Sequence, residues 1–313
     1  MSPYLKIIRI PNLIIIILTQ CLLRFCVIRT FYGLEYVSPA LSEFDFVILV
    51  LSTILIAAGG YILNDLYDLE TDKINKPGKI LIGKSISSQT ARYLYWALTA
   101  PGVLMGFYLS IKVNYIMLGF IYIAIAMMLW FYSARYQKTV LWGNIVISLL
   151  SAMVILIVWL FEFFALRAEP LIYVDVMNRL QIISLIVSGY ALFAFLVSLI
   201  REIIKDIEDI EGDRKAGCRT LPIVTAINKA KGTATGIIII SILLLAFAQY
   251  FLYMKELSLI FWYLMIAVQS LFIYLLYNTF KAREKEDFHF LSNTTKIIMV
   301  AGILSMQLFC ISV

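Results

Sequence analysis

Histidine and paired cysteines are nearly absent from this 313-residue chain. His289 is the single histidine, and the four cysteines form no CxxC pair. We therefore expect neither a zinc site nor a disulfide framework, because both depend on these residue types in close spacing. A metal bound by this chain is expected to be a hard cation that takes oxygen ligands.

Charged residues are also scarce. Only 15% of the residues are charged and 62% are hydrophobic, whereas soluble domains average about 25% charged and about 45–50% apolar. This composition excludes an ordinary soluble globular protein and predicts a polytopic membrane protein. No Gly/Ser-rich or Pro-rich linker divides the chain, so we expect a single domain over residues 1–313.

Nine apolar stretches are long enough to cross a bilayer as helices. They lie at residues 10–29, 43–64, 91–111, 114–132, 140–161, 181–203, 233–253, 257–279 and 295–313. We therefore expect an all-α integral membrane protein whose nine transmembrane helices form one bundle.

The formal net charge of +6 comes from 26 Lys and Arg against 20 Asp and Glu. With nine spans, most of the basic residues fall in connections on the same side as the N-terminus. The positive-inside rule then predicts a cytoplasmic N-terminus in the cell membrane. Because this rule accounts for the basic excess, we expect no nucleic-acid partner.

Two acidic clusters follow the second and sixth predicted spans, at the predicted cytoplasmic surface. The first reads N-D-x-x-D-x-x-x-D from Asn64 to Asp72, and the second reads K-D-x-x-D-x-x-x-D from Lys205 to Asp213. Both place aspartates at i, i+3 and i+7, which share one face of a helix. These aspartates are Asp65, Asp68 and Asp72 in the first cluster, and Asp206, Asp209 and Asp213 in the second.

Such rows of carboxylates repel one another and oppose the helix dipole, so a cation is needed to stabilise them. Aspartate and asparagine oxygens are suitable ligands for Mg²⁺, which completes its shell with water and substrate phosphate oxygens. Acidic residues that merely flank a span would explain one such run, but two runs of matched spacing favour a shared ligand. The clusters therefore predict a diphosphate that Mg²⁺ bridges between two helix ends.

Several further polar residues are candidates for substrate binding. Arg201 and Lys205 lie just before the second cluster, on the face expected to point into the bundle, and basic loops follow both clusters. Polar residues at the ends of other spans either contact substrate or only pack against neighbouring helices, and the sequence leaves both interpretations open. The loop residues are Lys76, Lys79, Arg214, Lys215 and Arg219, and the span-end residues are Arg9, Asn12, Tyr132, Lys138 and Asn144.

The paired motifs, with Asn75-Lys76-Pro77 after the first, closely resemble those of the UbiA superfamily of intramembrane prenyltransferases. The stretch 201–223 is most similar to the geranylgeranylglycerol-phosphate geranylgeranyltransferase branch, the digeranylgeranylglyceryl phosphate synthases. Tyr132-Ser133, Lys138 and Gly143-Asn144 also resemble the superfamily. Many relatives continue Asn-Lys-Pro with x-Arg-Pro, whereas Gly78-Lys79-Ile80 follows here, and lysine lacks the bidentate geometry of arginine.

The resemblance implies that Asn64, Asp68, Asp209 and Asp213 hold Mg²⁺ on a prenyl diphosphate, supported by Asp65, Asp72 and Asp206. It also implies that Lys76, Lys205 and Arg201 neutralise the leaving diphosphate. The donor would ionise to an allylic carbocation in a dry apolar cavity. In the ether-lipid branch, the acceptor is the hydroxyl of geranylgeranylglyceryl phosphate, a membrane lipid. Arg214, Lys215 or Arg219 would then contact its phosphate.

Two other functions are compatible with parts of the sequence. A prenyltransferase with an aromatic acceptor, as in quinone, haem or chlorophyll synthesis, needs no second phosphate site, so the basic loop after Asp213 favours the glyceryl phosphate. A cation transporter would carry ionisable groups near mid-span. Here the carboxylates gather at one membrane surface, which favours an enzyme over a transporter. The resemblance to the ether-lipid branch implies geranylgeranyl diphosphate as the donor.

Overall fold

The computed structural model describes residues 2–32, 39–75, 78 and 80–312. Within these residues, nine helices are long and apolar enough to cross a membrane, and there is no β-strand. This confirms the predicted all-α membrane fold. The helices are α1 (Ile10–Tyr32), α2 (Glu43–Tyr67), α3 (Ser88–Lys112), α4 (Met117–Ala134), α5 (Trp142–Ala168), α6 (Ile172–Glu208), α7 (Ile227–Met254), α8 (Ser258–Lys281) and α9 (Lys285–Ser312).

The last span begins earlier than hydropathy predicts. The apolar stretch starts at residue 295, but α9 starts at Lys285. Glu284 and Asp287 form a capping box there, in which each side chain accepts a hydrogen bond from the other residue's backbone N–H. Capping stabilises the polar turns of α9 that precede the apolar stretch. An apolar stretch alone therefore does not indicate where the helix begins.

Small residues let α2, α3 and α4 pack closely. A Cβ atom on Gly59 of α2 would lie 2.3 Å from Oγ1 of Thr99, and one on Gly106 of α3 would lie 2.2 Å from the Tyr122 ring. The Ser52 hydroxyl also donates to the Gly102 carbonyl at 2.7 Å. Such small-residue contacts and interhelical hydrogen bonds are typical of membrane helix packing.

A buried ion pair joins α1 to α5, away from the acidic clusters. Arg24 and Glu162 are each only 1% exposed, and Nη1 of Arg24 lies 3.3 Å from Oε2 of Glu162. The Tyr32 hydroxyl donates to the other oxygen of Glu162 at 2.6 Å. A charge buried among apolar helices is costly without such partners, so loss of either member of the pair would leave an unfavourable buried charge between α1 and α5.

We predict that Glu162→Ala lowers the free energy of unfolding by about 3–5 kcal/mol, because it leaves the buried Arg24 charge without its buried carboxylate partner. Denaturation of the purified protein in detergent measures this. Glu169→Ala, at the exposed end of the same helix, is the matched control. Equal stability of the two variants would contradict the prediction.

Candidate active site

The first acidic cluster spans a bend between two helices. α2 ends at Tyr67, Asp68 lies at the junction, and a short helix covers Leu69–Asn75. Helical hydrogen bonds continue across the bend, because the Asp68 N–H donates to the Asn64 carbonyl at 2.9 Å and the Asp72 N–H to the Asp68 carbonyl at 2.8 Å. The shared face predicted for one continuous helix is thus divided between two helix segments.

The second cluster has the same local structure. α6 ends at Glu208, Asp209 lies at the junction, and a short helix covers Ile210–Lys215. The Asp209 N–H donates to the Lys205 carbonyl at 2.9 Å, and the Asp213 N–H to the Asp209 carbonyl at 3.1 Å. The matched sequence spacing therefore corresponds to a matched backbone bend, centred in each cluster on the middle aspartate.

Asn75 joins the two bends. Its side-chain amide donates to the Asp209 carbonyl at 3.2 Å, and its oxygen accepts from the Gly212 N–H at 3.1 Å. Gly212 is required at this contact, since a Cβ atom there would lie 2.1 Å from the Asn75 oxygen. Asn75 belongs to the motif that the sequence singled out, but its bridging role depends on a contact that no local pattern indicates.

The joined bends enclose a small polar cleft of about 50 Å³. We call it the acid cleft. Its aspartates are Asp68, Asp72, Asp206, Asp209 and Asp213, and its other lining residues are Thr71, Asn75, Tyr132, Gln137, Glu202, Lys205 and Cys218. The structure thus brings five of the six predicted aspartates together from two segments that lie far apart in the chain.

Gln137 is a site residue that the sequence did not identify. It lies in the connection between α4 and α5, beside the predicted Lys138, and its amide donates to Oδ2 of Asp68 at 2.7 Å. The Asn64 amide donates to the same oxygen at 2.9 Å and to Oε1 of Gln137 at 2.8 Å. This network holds Asp68 in place. On α5, the Asn144 amide similarly donates to Asp206 at 2.8 Å.

Asp65 points to a different partner. Its carboxylate lies 2.6 Å from Nη2 of Arg9, and it does not line the acid cleft. Burial lowers the pKa of Arg9, but the charge of Asp65 and its hydrogen bond outweigh that effect, so the pKa lies above its ordinary value. Arg9 also donates to Oδ1 of Asn64 at 3.4 Å. Arg9 and Asp65 therefore position the end of α2.

The donor set of the acid cleft suits Mg²⁺. Among the described residues, no three acidic, histidine or cysteine side chains form a ready-made site for a bare ion. Oxygen donors on opposing bends do fit an ion that keeps waters and shares substrate oxygens. Asp68 is 9% exposed and Asp209 8%. Burial raises the pKa of the Asp68 carboxyl, so a nearby cation would favour its ionised form.

A larger cavity adjoins the acid cleft. It has a volume of about 330 Å³, is lined mainly by apolar side chains and runs down to Tyr122, Tyr190 and Met306. We call it the apolar cavity. Tyr132, Glu202 and Lys205 line both spaces. A polar head in the cleft and an apolar chain in the cavity could therefore belong to one molecule.

The remaining predicted residues lie in three settings. Arg9, Asn12, Asn64 and Arg201 line the apolar cavity at its polar end. Arg214, Lys215 and Arg219 are exposed and line neither space. Lys76, Lys79 and the Lys138 side chain lie outside the described residues, so their substrate roles stay predictions.

Comparison with known families explains the paired motifs. A model of the UbiA prenyltransferase family matches residues 26–295. The chain belongs to this family. It is therefore a prenyltransferase, as the resemblance of the two acidic motifs implies.

Individual relatives of this UbiA-family chain carry a more specific name. Digeranylgeranylglyceryl phosphate synthase from Methanosphaera stadtmanae is 28% identical over 98% of this chain and 99% of its own length. The enzyme of that name from Hyperthermus butylicus is 35% identical over 70% of this chain and 66% of its own length.

Solved structures share the fold of this prenyltransferase. A structure of digeranylgeranylglyceryl phosphate synthase has a TM-score of 0.62 at 25% identity and covers 99% of this chain and 98% of that chain. A UbiA homologue from Archaeoglobus fulgidus bound to GPP and Mg²⁺ has a TM-score of 0.58. At 16% identity and coverage of 97% and 99%, the second match is one of fold alone.

We predict that Gly212→Ala strongly reduces prenyl transfer, because the added methyl group displaces the Asn75 side chain that joins the bends. A fall of at least about tenfold in kcat corresponds to about 1.4 kcal/mol, the order of the hydrogen bonds lost. Steady-state kinetics measures it. Gly232→Ala is the matched control, since no atom lies within 4 Å of its Cβ position. Unchanged activity in Gly212→Ala would show that the Asn75 bridge is not needed.

Proposed function

We propose that this UbiA-family chain transfers a geranylgeranyl group from geranylgeranyl diphosphate to the free hydroxyl of geranylgeranylglyceryl phosphate. The observation that carries this proposal is the acid cleft opening into the apolar cavity through shared lining residues. An amphiphilic donor with a diphosphate head and an isoprenoid tail suits that pair of spaces. The names of the curated relatives support the acceptor.

In this proposal, the aspartates of the acid cleft and Asn64 would hold Mg²⁺ together with the donor diphosphate. The bound ion supplies charge stabilisation for the departing diphosphate oxygens. Lys205 lines the cleft and adds a further positive charge. This charge would stabilise the negative charge that develops on the leaving diphosphate. Gln137 and Asn144 keep Asp68 and Asp206 oriented through their hydrogen bonds.

The bond between prenyl C1 and the diphosphate oxygen breaks with both electrons staying on oxygen. The apolar cavity, lined by side chains such as Ile125, Leu129 and Met299, would keep water from the resulting allylic cation. The acceptor hydroxyl oxygen then bonds to C1 and gives its proton to the released diphosphate. Because the donor tail is as apolar as lipid, it can enter the cavity from the bilayer.

The proposal includes a membrane orientation. Both short helices of the acid cleft follow spans whose clusters lie on the predicted cytoplasmic side, and the basic connections share that side under the positive-inside rule. We therefore assign the active site to the cytoplasmic surface of the cell membrane, where a water-soluble diphosphate product can leave.

Acceptor identity is tested by giving purified protein labelled geranylgeranyl diphosphate together with geranylgeranylglyceryl phosphate and a set of aromatic acids. We expect label on the glyceryl ether phosphate, and we expect chelation of divalent metal to abolish the transfer. Label on an aromatic acid alone would overturn the acceptor while leaving the prenyltransferase class intact.

We also predict that Asp68→Asn and Asp209→Asn each lower diphosphate release by at least about a hundredfold, because each removes a buried anionic ligand from one wall of the cleft. Release of diphosphate from geranylgeranyl diphosphate is measured over a range of Mg²⁺ concentrations. Glu70→Gln is the matched control, since Glu70 is exposed and paired with Lys73. Wild-type turnover in either aspartate variant would remove the metal assignment.

A further inference from the structure

The polar end of the apolar cavity carries more positive than negative charge. Four cationic side chains line the cavity, and Glu202 is its only acidic lining residue among the described parts of the chain. The four are Arg9, Arg201, Lys205 and Lys296. Placing this many cations beside an apolar wall is costly unless anions balance them.

Arg9 and Lys205 already have assigned roles. Arg9 contacts Asp65 and Asn64. Lys205 also lines the acid cleft, where it serves the donor diphosphate under the proposed function. Arg201 and Lys296 line the apolar cavity, as Arg9 does, and neither of them lines the acid cleft.

Arg201 has unused hydrogen-bonding capacity. Its Nη1 pairs with Glu202 at 2.5 Å, but its Nε is buried and has no hydrogen-bond partner. A buried donor without a partner is unfavourable, and a guanidinium can bind two oxygens of one phosphate at once. Arg201 is therefore suited to an oxyanion that enters the cavity.

Lys296 extends this site across the contact between α6 and α9, which pack against each other. Its side chain is exposed, and its Nζ lies 3.3 Å from Oδ1 of Asn293. Met299 and Ile303 follow it on the same helix face and also line the cavity. Lys296 is thus the charged end of an apolar stripe on α9.

α6 presents a similar stripe, in which Ala194 and Ser198 precede Arg201 along the cavity wall. Each of two packed helices therefore offers a cation at the polar end of a row that lines the apolar cavity. An anionic lipid matches this arrangement, with its head at the two cations and its chain along the rows.

Resting on the proposed function, we propose that Arg201 and Lys296 bind the phosphate monoester of the glyceryl lipid acceptor. Arg201 precedes Lys205 by one helical turn, about 6 Å along the axis. A three-carbon glycerol keeps its free hydroxyl within a few bonds of its phosphate. A phosphate at Arg201 therefore brings that hydroxyl close to the donor carbon beside Lys205.

This assignment differs from the one based on the basic loop. Arg214, Lys215 and Arg219 are exposed and line neither space, so a phosphate bound there would hold the acceptor away from the cavity. The two assignments make opposite predictions for the same ligand.

The test measures binding of geranylgeranylglyceryl phosphate to the purified protein in detergent, with geranylgeranyl diphosphate binding measured in parallel. We expect Arg201→Gln and Lys296→Gln each to weaken acceptor binding at least about tenfold while donor binding changes less than about twofold. Unchanged donor binding also shows that the variants are folded. Lys296→Arg keeps the charge and is expected to retain acceptor binding.

Matched controls are Arg92→Gln and Lys285→Gln, which change exposed residues outside both spaces. Glycerol phosphate and inorganic phosphate serve as competitors, and weak competition by both identifies the lipid as the ligand. Strong competition by inorganic phosphate would show a site for free phosphate and overturn the proposal.

Four further results would overturn it. Equal loss of donor and acceptor binding would assign the two cations to the diphosphate. Loss of acceptor binding only in the triple variant Arg214→Gln, Lys215→Gln, Arg219→Gln would assign the phosphate to the loop. If the wild-type protein does not bind the acceptor, both this site and the proposed acceptor are overturned. If the wild-type protein binds the acceptor and both Arg201→Gln and Lys296→Gln bind it equally well, the site alone is overturned.

Discussion

Five aspartates line one cleft of about 50 Å³, and repulsion among their ionised forms is the constraint on which the site depends. Two unit charges about 4 Å apart repel by about 4 kcal/mol at an effective dielectric near 20. The fold holds these groups together by bending α2 and α6 at Asp68 and Asp209 and by joining the bends through Asn75. Because the fold holds several carboxylates close together, the cleft favours binding of a multivalent cation.

The apolar cavity lies next to the charged cleft and shares lining residues with it. Tyr132, Glu202 and Lys205 line both spaces, so the polar and apolar parts of an isoprenoid diphosphate can lie in adjoining environments. The cations Arg201 and Lys296 add a second polar position at the same boundary. Under the proposed function, the apolar cavity would keep water from the carbocation, and the ionic groups of the cleft would hold the diphosphate.

Much of this arrangement could be predicted from the sequence because it depends on local patterns. Nine apolar stretches indicate the spans, and the matched spacing around Asp68 and Asp209 indicates a paired site. The bends themselves, the bridge from Asn75 and the hydrogen bond from Gln137 depend on contacts between residues far apart in the chain. The pairing of Arg24 with Glu162, 138 residues away, is likewise invisible to any local pattern.

The central claim is that both acidic clusters hold one metal-bound diphosphate. Its most direct test is electron paramagnetic resonance of Mn²⁺ bound in place of Mg²⁺, with an unreactive thiolo analogue of geranylgeranyl diphosphate. We predict phosphorus hyperfine coupling to the ion in the wild-type protein, and its loss in Asp68→Asn and in Asp209→Asn alike. Coupling that survives intact in either variant would show that one cluster alone holds the diphosphate, which would contradict the account.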